Sequence, residues 1–103
     1  MSMLIIPYDR GIRIARYDEI IRVQGMSNYS KIYFTHGPPM VVAKVLHWFE
    51  ESLPCEMFAR IHKSHLVNKR YVKEITGSGC RNLLLSNGDL IVMSRRMKLR
   101  LTA

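Results

Sequence analysis

Residues 60–72 read RIHKSHLVNKRYV, and two kinds of side chain share this short run. Ile61, Leu66, Val67 and Val72 have the character of a core. Arg60, His62, Lys63, His65, Lys69 and Arg70 have that of a surface made to meet negative charge. The segment asks to be rigidly anchored and heavily basic at once.

The rest of the chain sharpens that contrast. A length of 103 residues and a hydrophobic content of 48% are enough for one domain, residues 1–103, with a genuine core. The formal net charge is +8. Between residues 60 and 100 stand ten basic residues and two acidic ones, Glu74 and Asp89, so this segment carries the whole excess. A polarised charge of this kind speaks about partners rather than fold. Cys55 and Cys80 lie far apart without a CxxC spacing, which favours two reduced, partly buried thiols over a disulfide. No apolar run approaches membrane-spanning length, and MSMLIIPYDRG lacks the basic start and long apolar core of a signal peptide. The expected location is the cytoplasm, with no membrane partner.

Along the chain, MLIIPYD and GIRIARYDEIIRVQG read as strands broken near residues 9–11 and at Gly25, with Ile21 and Val23 alternating with Arg22 and Gln24. NYSKIYF continues at strand-like density until Gly37-Pro38-Pro39 stops it. In MVVAKVLHWFEESLP, Val42, Val45, Leu46, Phe49 and Leu53 follow the spacing of one helical face, and Pro54 ends the run. YVKEIT reads as a strand. RNLLLSNGDLIVMS reads as a hairpin closed by Asn87-Gly88 in a type I′ turn. RRMKLRLTA is a candidate terminal helix with Ser94 as its N-cap. The expected fold is mainly β, with one central helix and a short C-terminal one.

Catalytic chemistry finds little footing, and no catalytic residue is assigned. His62 and His65 are three apart, but cations surround them and no second pair of ligands stands near, so no metal or cofactor is expected. Glu50 and Glu51 are adjacent on a helix and point apart. No phosphate-binding glycine loop and no serine nucleophile motif occurs. Nucleic-acid binding fits better. Clustered Lys and Arg release counterions from phosphates, and a few donors on a fixed scaffold then read base edges. RIHKSHLVN, the SRR of residues 94–96 and the MSNYSK of residues 26–31 each supply such donors. Any one of these is ordinarily a solvated face, and Asn68 reads as a cap or turn residue. Three on one polarised chain are harder to dismiss.

The combination resembles the LytTR family of bacterial DNA-binding domains. The matching pieces are YDEIIRVQGMSNYSKIYF, LHWFEESLP followed by FARIHKSHLVNKRYV, and LSNGDLIVMSRR, in the family's order and spacing. FxRIHKSHLVN is the most specific of them. The resemblance implies an elongated set of small antiparallel sheets whose loops, rather than a recognition helix, enter successive major grooves. The segment at residues 60–72 is then a strand–loop element whose core anchors hold its polar side chains rigidly. Base contacts carried over by position fall at Asn28, Tyr29 and Ser30, at Lys63 and at Arg96. Lys31, His62, Ser64, Ser94, Arg95 and Lys98 fall at backbone-positioning places, while Asn68 and Tyr71 are structural. Gln24 stands where family members often carry Glu. The implied partner is double-stranded promoter DNA with direct repeats, one domain per repeat, bound by a transcription regulator of the two-component type; with no dedicated dimerisation helix evident in the sequence, a monomer off DNA is expected. Many relatives add a receiver domain or a membrane sensor, and the sequence does not decide between a free-standing regulator and part of a longer one.

Two rival readings follow from the same residues. A non-specific or RNA-binding module would use exposed aromatics, with Tyr29 and Tyr33 on one strand face as the candidate pair. A protein-interaction module would dock an acidic partner through the basic half.

Overall fold

A computed structural model of the chain describes residues 2–96. Its strands are β1 (Met3–Tyr8), β2 (Gly11–Arg16), β3 (Ile20–Met26), β4 (Tyr29–Phe34), β5 (Met40–Val42), β6 (Phe58–His62), β7 (His65–Asn68), β8 (Val72–Thr76), β9 (Asn82–Leu85) and β10 (Leu90–Val92). One α-helix, α1 (Leu46–Ser52), stands among them. The mainly β expectation holds. Of the proposed terminal helix only Arg95 and Arg96 are described, and they form a turn; its remainder, with Lys98, lies outside the described residues.

A central five-stranded sheet, ordered β5-β4-β3-β7-β6, organises the molecule. The β1–β2 hairpin and α1 cover one of its faces, and a three-stranded sheet, β10-β9-β8, covers the other. All pairings are antiparallel. Being buried on both sides, the central strands are apolar at consecutive positions. Leu66 joins the first core with Ile6, Ile32 and Phe49, while its neighbour Val67 joins the second with Ile61, Leu83 and Leu85. The molecule is elongated, 43 × 25 × 24 Å.

Several local expectations are corrected. Ile21 and Val23 do not share a face. A bulge between Ile20 and Arg22 shifts the register, so Ile21 enters the second core and Val23 the first. Gly25 does not break a strand: β3 runs through it. A Cβ there would stand 3.2 Å from that of Leu46, so glycine permits the close approach of α1. The central helix is shorter than its apolar spacing suggested. Residues 40–42 pair with β4 as an edge strand, and Val45 is exposed before the first turn. The Asn87-Gly88 turn is not type I′, because Asn87 keeps a negative φ and only Gly88 is left-handed, at +94°. Leu85 and Asp89 bracket a three-residue loop instead, closed by Gly88 N–H donating to the Leu85 carbonyl at 2.9 Å. Cys55 and Cys80 are both free and exposed rather than partly buried.

One ion pair ties the two larger sheets together. Arg22, almost fully buried, donates from Nε to Asp89 Oδ2 at 2.8 Å. Its guanidinium also lies 3.7 Å from the ring centre of Tyr33. The hydroxyl of Tyr33 donates to Gln24 Oε1 at 3.2 Å.

Candidate nucleic-acid interface

Three turns carry the residues singled out in the sequence, and the central sheet decides where they sit. The first turn, residues 27 and 28, joins β3 to β4 with Met26 opposite Tyr29. Ser27 takes a φ of +59° while Asn28 does not, the type II′ pattern in which glycine usually holds the first place. The second turn, residues 63 and 64, joins β6 to β7. Since β3 pairs with β7, both turns lie at the same end of the sheet, and the Gly25 N–H donates to the Ser64 carbonyl at 2.8 Å. The third follows β10: Ser94 N–H donates to the Ile61 carbonyl at 2.8 Å, bringing Arg95 and Arg96 beside the end of β6. At the usual strand spacing the three stretch across roughly 20 Å.

Arg60 shapes the second turn. Its side chain is only 17% exposed and donates to Glu50 Oε1 of α1 at 2.8 Å. Nε donates to the His62 carbonyl at 3.1 Å, and Nη2 donates to the Lys63 carbonyl. A rigid guanidinium fork thus holds two successive carbonyls of the turn against the helix. The sequence reading counted Arg60 among surface cations; the R-x-H-K spacing to the turn was the available signal. The Ser64 N–H donates to His62 Nδ1 at 3.1 Å, which ties the ring to the backbone of the turn. Lys63 itself is exposed.

His65 stands behind this turn, its ring centre 5.3 Å from that of His62. Its Nδ1 is buried without a protein partner. Burial first, then the charges of Arg22 and His62, lower its pKa to about 4. His65 is therefore a neutral wall at ordinary pH, unlike the basic surface its sequence context suggested.

The other predicted residues divide clearly. Asn28, Tyr29, Arg95 and Arg96 are exposed, with Tyr29 at 52%. Lys31 is half-buried, its Nζ 5.2 Å from the Tyr33 ring centre. Ser64 and Ser94 are half-buried. Ser30 departs from its expected place. It is fully buried, and its hydroxyl donates to the Lys44 carbonyl at 2.6 Å, so it holds residue 44 rather than facing outward. Asn68 has the structural role assigned to it: Nδ2 donates to the carbonyls of Ile20 at 2.9 Å and Tyr17 at 3.3 Å, and Oδ1 accepts from the Arg70 N–H. Tyr71 is likewise structural, donating to the Asp18 carbonyl. Among the described residues no group of three or more His, Cys, Asp or Glu side chains is placed to hold a metal ion, and no helix is long and apolar enough to cross a membrane.

Comparison with known proteins agrees with this arrangement. No curated protein matches the chain. Among solved structures, the fold is similar to the LytTr DNA-binding domain of a Bacillus cereus protein described as a methyl-accepting/DNA response regulator. The TM-score is 0.81 at 18% identity, over 100% of this chain and 98% of that one. The sequence itself matches the LytTr DNA-binding domain family over residues 10–103. On that match, covering all three turns, the chain belongs to the LytTR family of DNA-binding domains.

Proposed function

We propose that the chain is a single domain that binds double-stranded DNA sequence-specifically within a bacterial transcription regulator of the two-component type. Its turns enter successive major grooves. Asn28 and Tyr29 from the first, Lys63 from the second and Arg96 from the third meet base edges. Lys31, His62, Ser64, Ser94, Arg95 and Lys98 position the backbone. Ser30, being buried, supports the first turn from behind. One domain takes each direct repeat and is a monomer off DNA, working in the cytoplasm, with a receiver or sensor as partner in longer relatives.

The observation that carries this reading is the collection of all three turns along one end of a rigid sheet, joined by the bonds from Gly25 to Ser64 and from Ser94 to Ile61. Base reading needs fixed donors, and the clamp of Arg60 on the Lys63 carbonyl meets that need. A stacking module is less favoured, because Tyr33 lies beneath Arg22 and Phe34 is buried, so Tyr29 has no second exposed aromatic on its strand.

The test is selection from a random duplex pool, followed by titration of the winning and a scrambled duplex across salt concentrations. Sequence-specific binding predicts a winner held at least about 10³-fold tighter than the scramble. Lys63→Ala and Arg96→Ala should each lose roughly 1–3 kcal/mol on the winner and little on the scramble. Equal losses on both duplexes make them phosphate contacts, and no winner at all overturns the reading in favour of non-specific or protein docking.

A further inference from the structure

Between the first and second turns lies a cleft of about 290 Å³, walled by Gly25, Ser27, Leu46, His47, Lys63 and Ser64. Three elements meet there: the end of β3, the start of α1 and the β6–β7 turn. The missing side chain of Gly25 lets Leu46 close against the strand. The polar groups on the wall share one character. The hydroxyls of Ser27 and Ser64, the imidazole of His47 and the ammonium of Lys63 can all donate hydrogen bonds. Arg60 lies behind them with its guanidinium committed to Glu50 and the turn carbonyls. Among the described residues no carboxylate lines the cleft, and those facing the ring nitrogens of His47 are Glu50 at 3.6 Å and Glu51 at 3.5 Å on the helix itself. Ser27 and His47 are exposed, and neither figures among the contacts proposed above.

A concave site lined by convergent donors, beside a lysine and between two turns that face DNA, suits a tetrahedral anion with several acceptor oxygens. We infer that this cleft seats one backbone phosphate of the bound duplex, with Ser27, Ser64 and His47 donating to its oxygens while Lys63 reaches past it to the bases. The inference rests on the reading that this face meets DNA, and adds Ser27 and His47 to it. A phosphate held between the two turns fixes the register of the duplex before any base is read.

Phosphate contacts are blind to sequence, so the test separates this inference from the base-reading one. Ser27→Gly preserves the positive φ, which glycine adopts freely, and His47→Ala removes an exposed side chain, so both are expected to leave the fold intact. Each should weaken the winning and the scrambled duplex alike, by about three- to tenfold. A single uncharged methylphosphonate walked along both strands should reveal one position where wild type loses affinity but His47→Ala loses no more. Unchanged affinity of both variants for both duplexes overturns the seat, as does a methylphosphonate loss that stays undiminished in His47→Ala at every position. A wild type that does not discriminate winner from scramble sinks base reading alone. The seat then stands if the two variants still weaken both duplexes, and falls if they do not.

Discussion

Arg60 shows how a cation in a basic chain is used for shape rather than for charge. Its guanidinium satisfies a carboxylate and two turn carbonyls while almost out of water. Arg60→Met keeps the length and apolar stem but leaves those acceptors without it. The expected cost is about 2–3 kcal/mol in urea unfolding, together with weaker DNA binding through the loosened Lys63 turn. His65 behaves oppositely, being kept neutral. Its folded pKa of about 4 lies below the ordinary histidine value of 6.5, so the unfolded chain binds the extra proton. Stability is then undiminished by this group above about pH 6.5 and is progressively lost as pH falls from there toward 4. The urea midpoint should drop between pH 7 and pH 5, and His65→Gln should flatten that drop. The anchors at this scale were legible: Ile61, Leu66 and Val67 are buried, and Asn68 caps the following turn. The role of Ser30 was not legible, because its partner Lys44 comes from 14 residues away, and for Arg60 only the hold on its own turn was, since Glu50 comes from 10 residues away.

Among the elements, the succession of strands along the chain and the hairpin closed at Asn87-Gly88 could be read from alternation and turn residues, while sheet order, lengths and turn types could not. Val42 satisfies a helical spacing and a strand position equally well, and pairing with Ser30 in β4 decides between them. The bulge in β3 is invisible to an alternation count because it inserts one residue exactly where two cores must both be fed. Gly25 is the position where an element-level change has the clearest consequence. Gly25→Ala presses a methyl group against Leu46, so α1 must move outward by a few tenths of an ångström. The expected cost is about 1–2 kcal/mol of stability, read as a lower thermal midpoint. The first turn and the cleft beside it should shift as well, detectable as amide chemical-shift changes at Ser27 and His47.

Across the whole molecule, one sheet shared by two cores makes the two halves of the fold depend on each other. Leu66→Ala empties space in the core beneath β1–β2, and Val67→Ala does so in the core beneath the three-stranded sheet. Each should cost about 2–4 kcal/mol. Because both residues lie on β7, unfolding should remain a single transition, with Trp48 fluorescence and far-ultraviolet circular dichroism coinciding in both variants. Separate midpoints for the two signals would show that the cores melt independently. The two-sided burial of the central strands was legible as the adjacent pair Leu66-Val67. Which element covers which face was not, since that follows from contacts distant in sequence.

The pair between Arg22 and Asp89 obeys a different electrostatics from the turns it helps to arrange. The cations of the turns face solvent, and dissolved ions compete directly for what they hold. Arg22 is shielded under Tyr33 and the second sheet, where mobile ions screen it far less. Rising ionic strength therefore acts on the two unequally. It strips DNA away while the inter-sheet latch stays shut, so the domain lets go of DNA still folded and binds again without refolding once the brine is diluted.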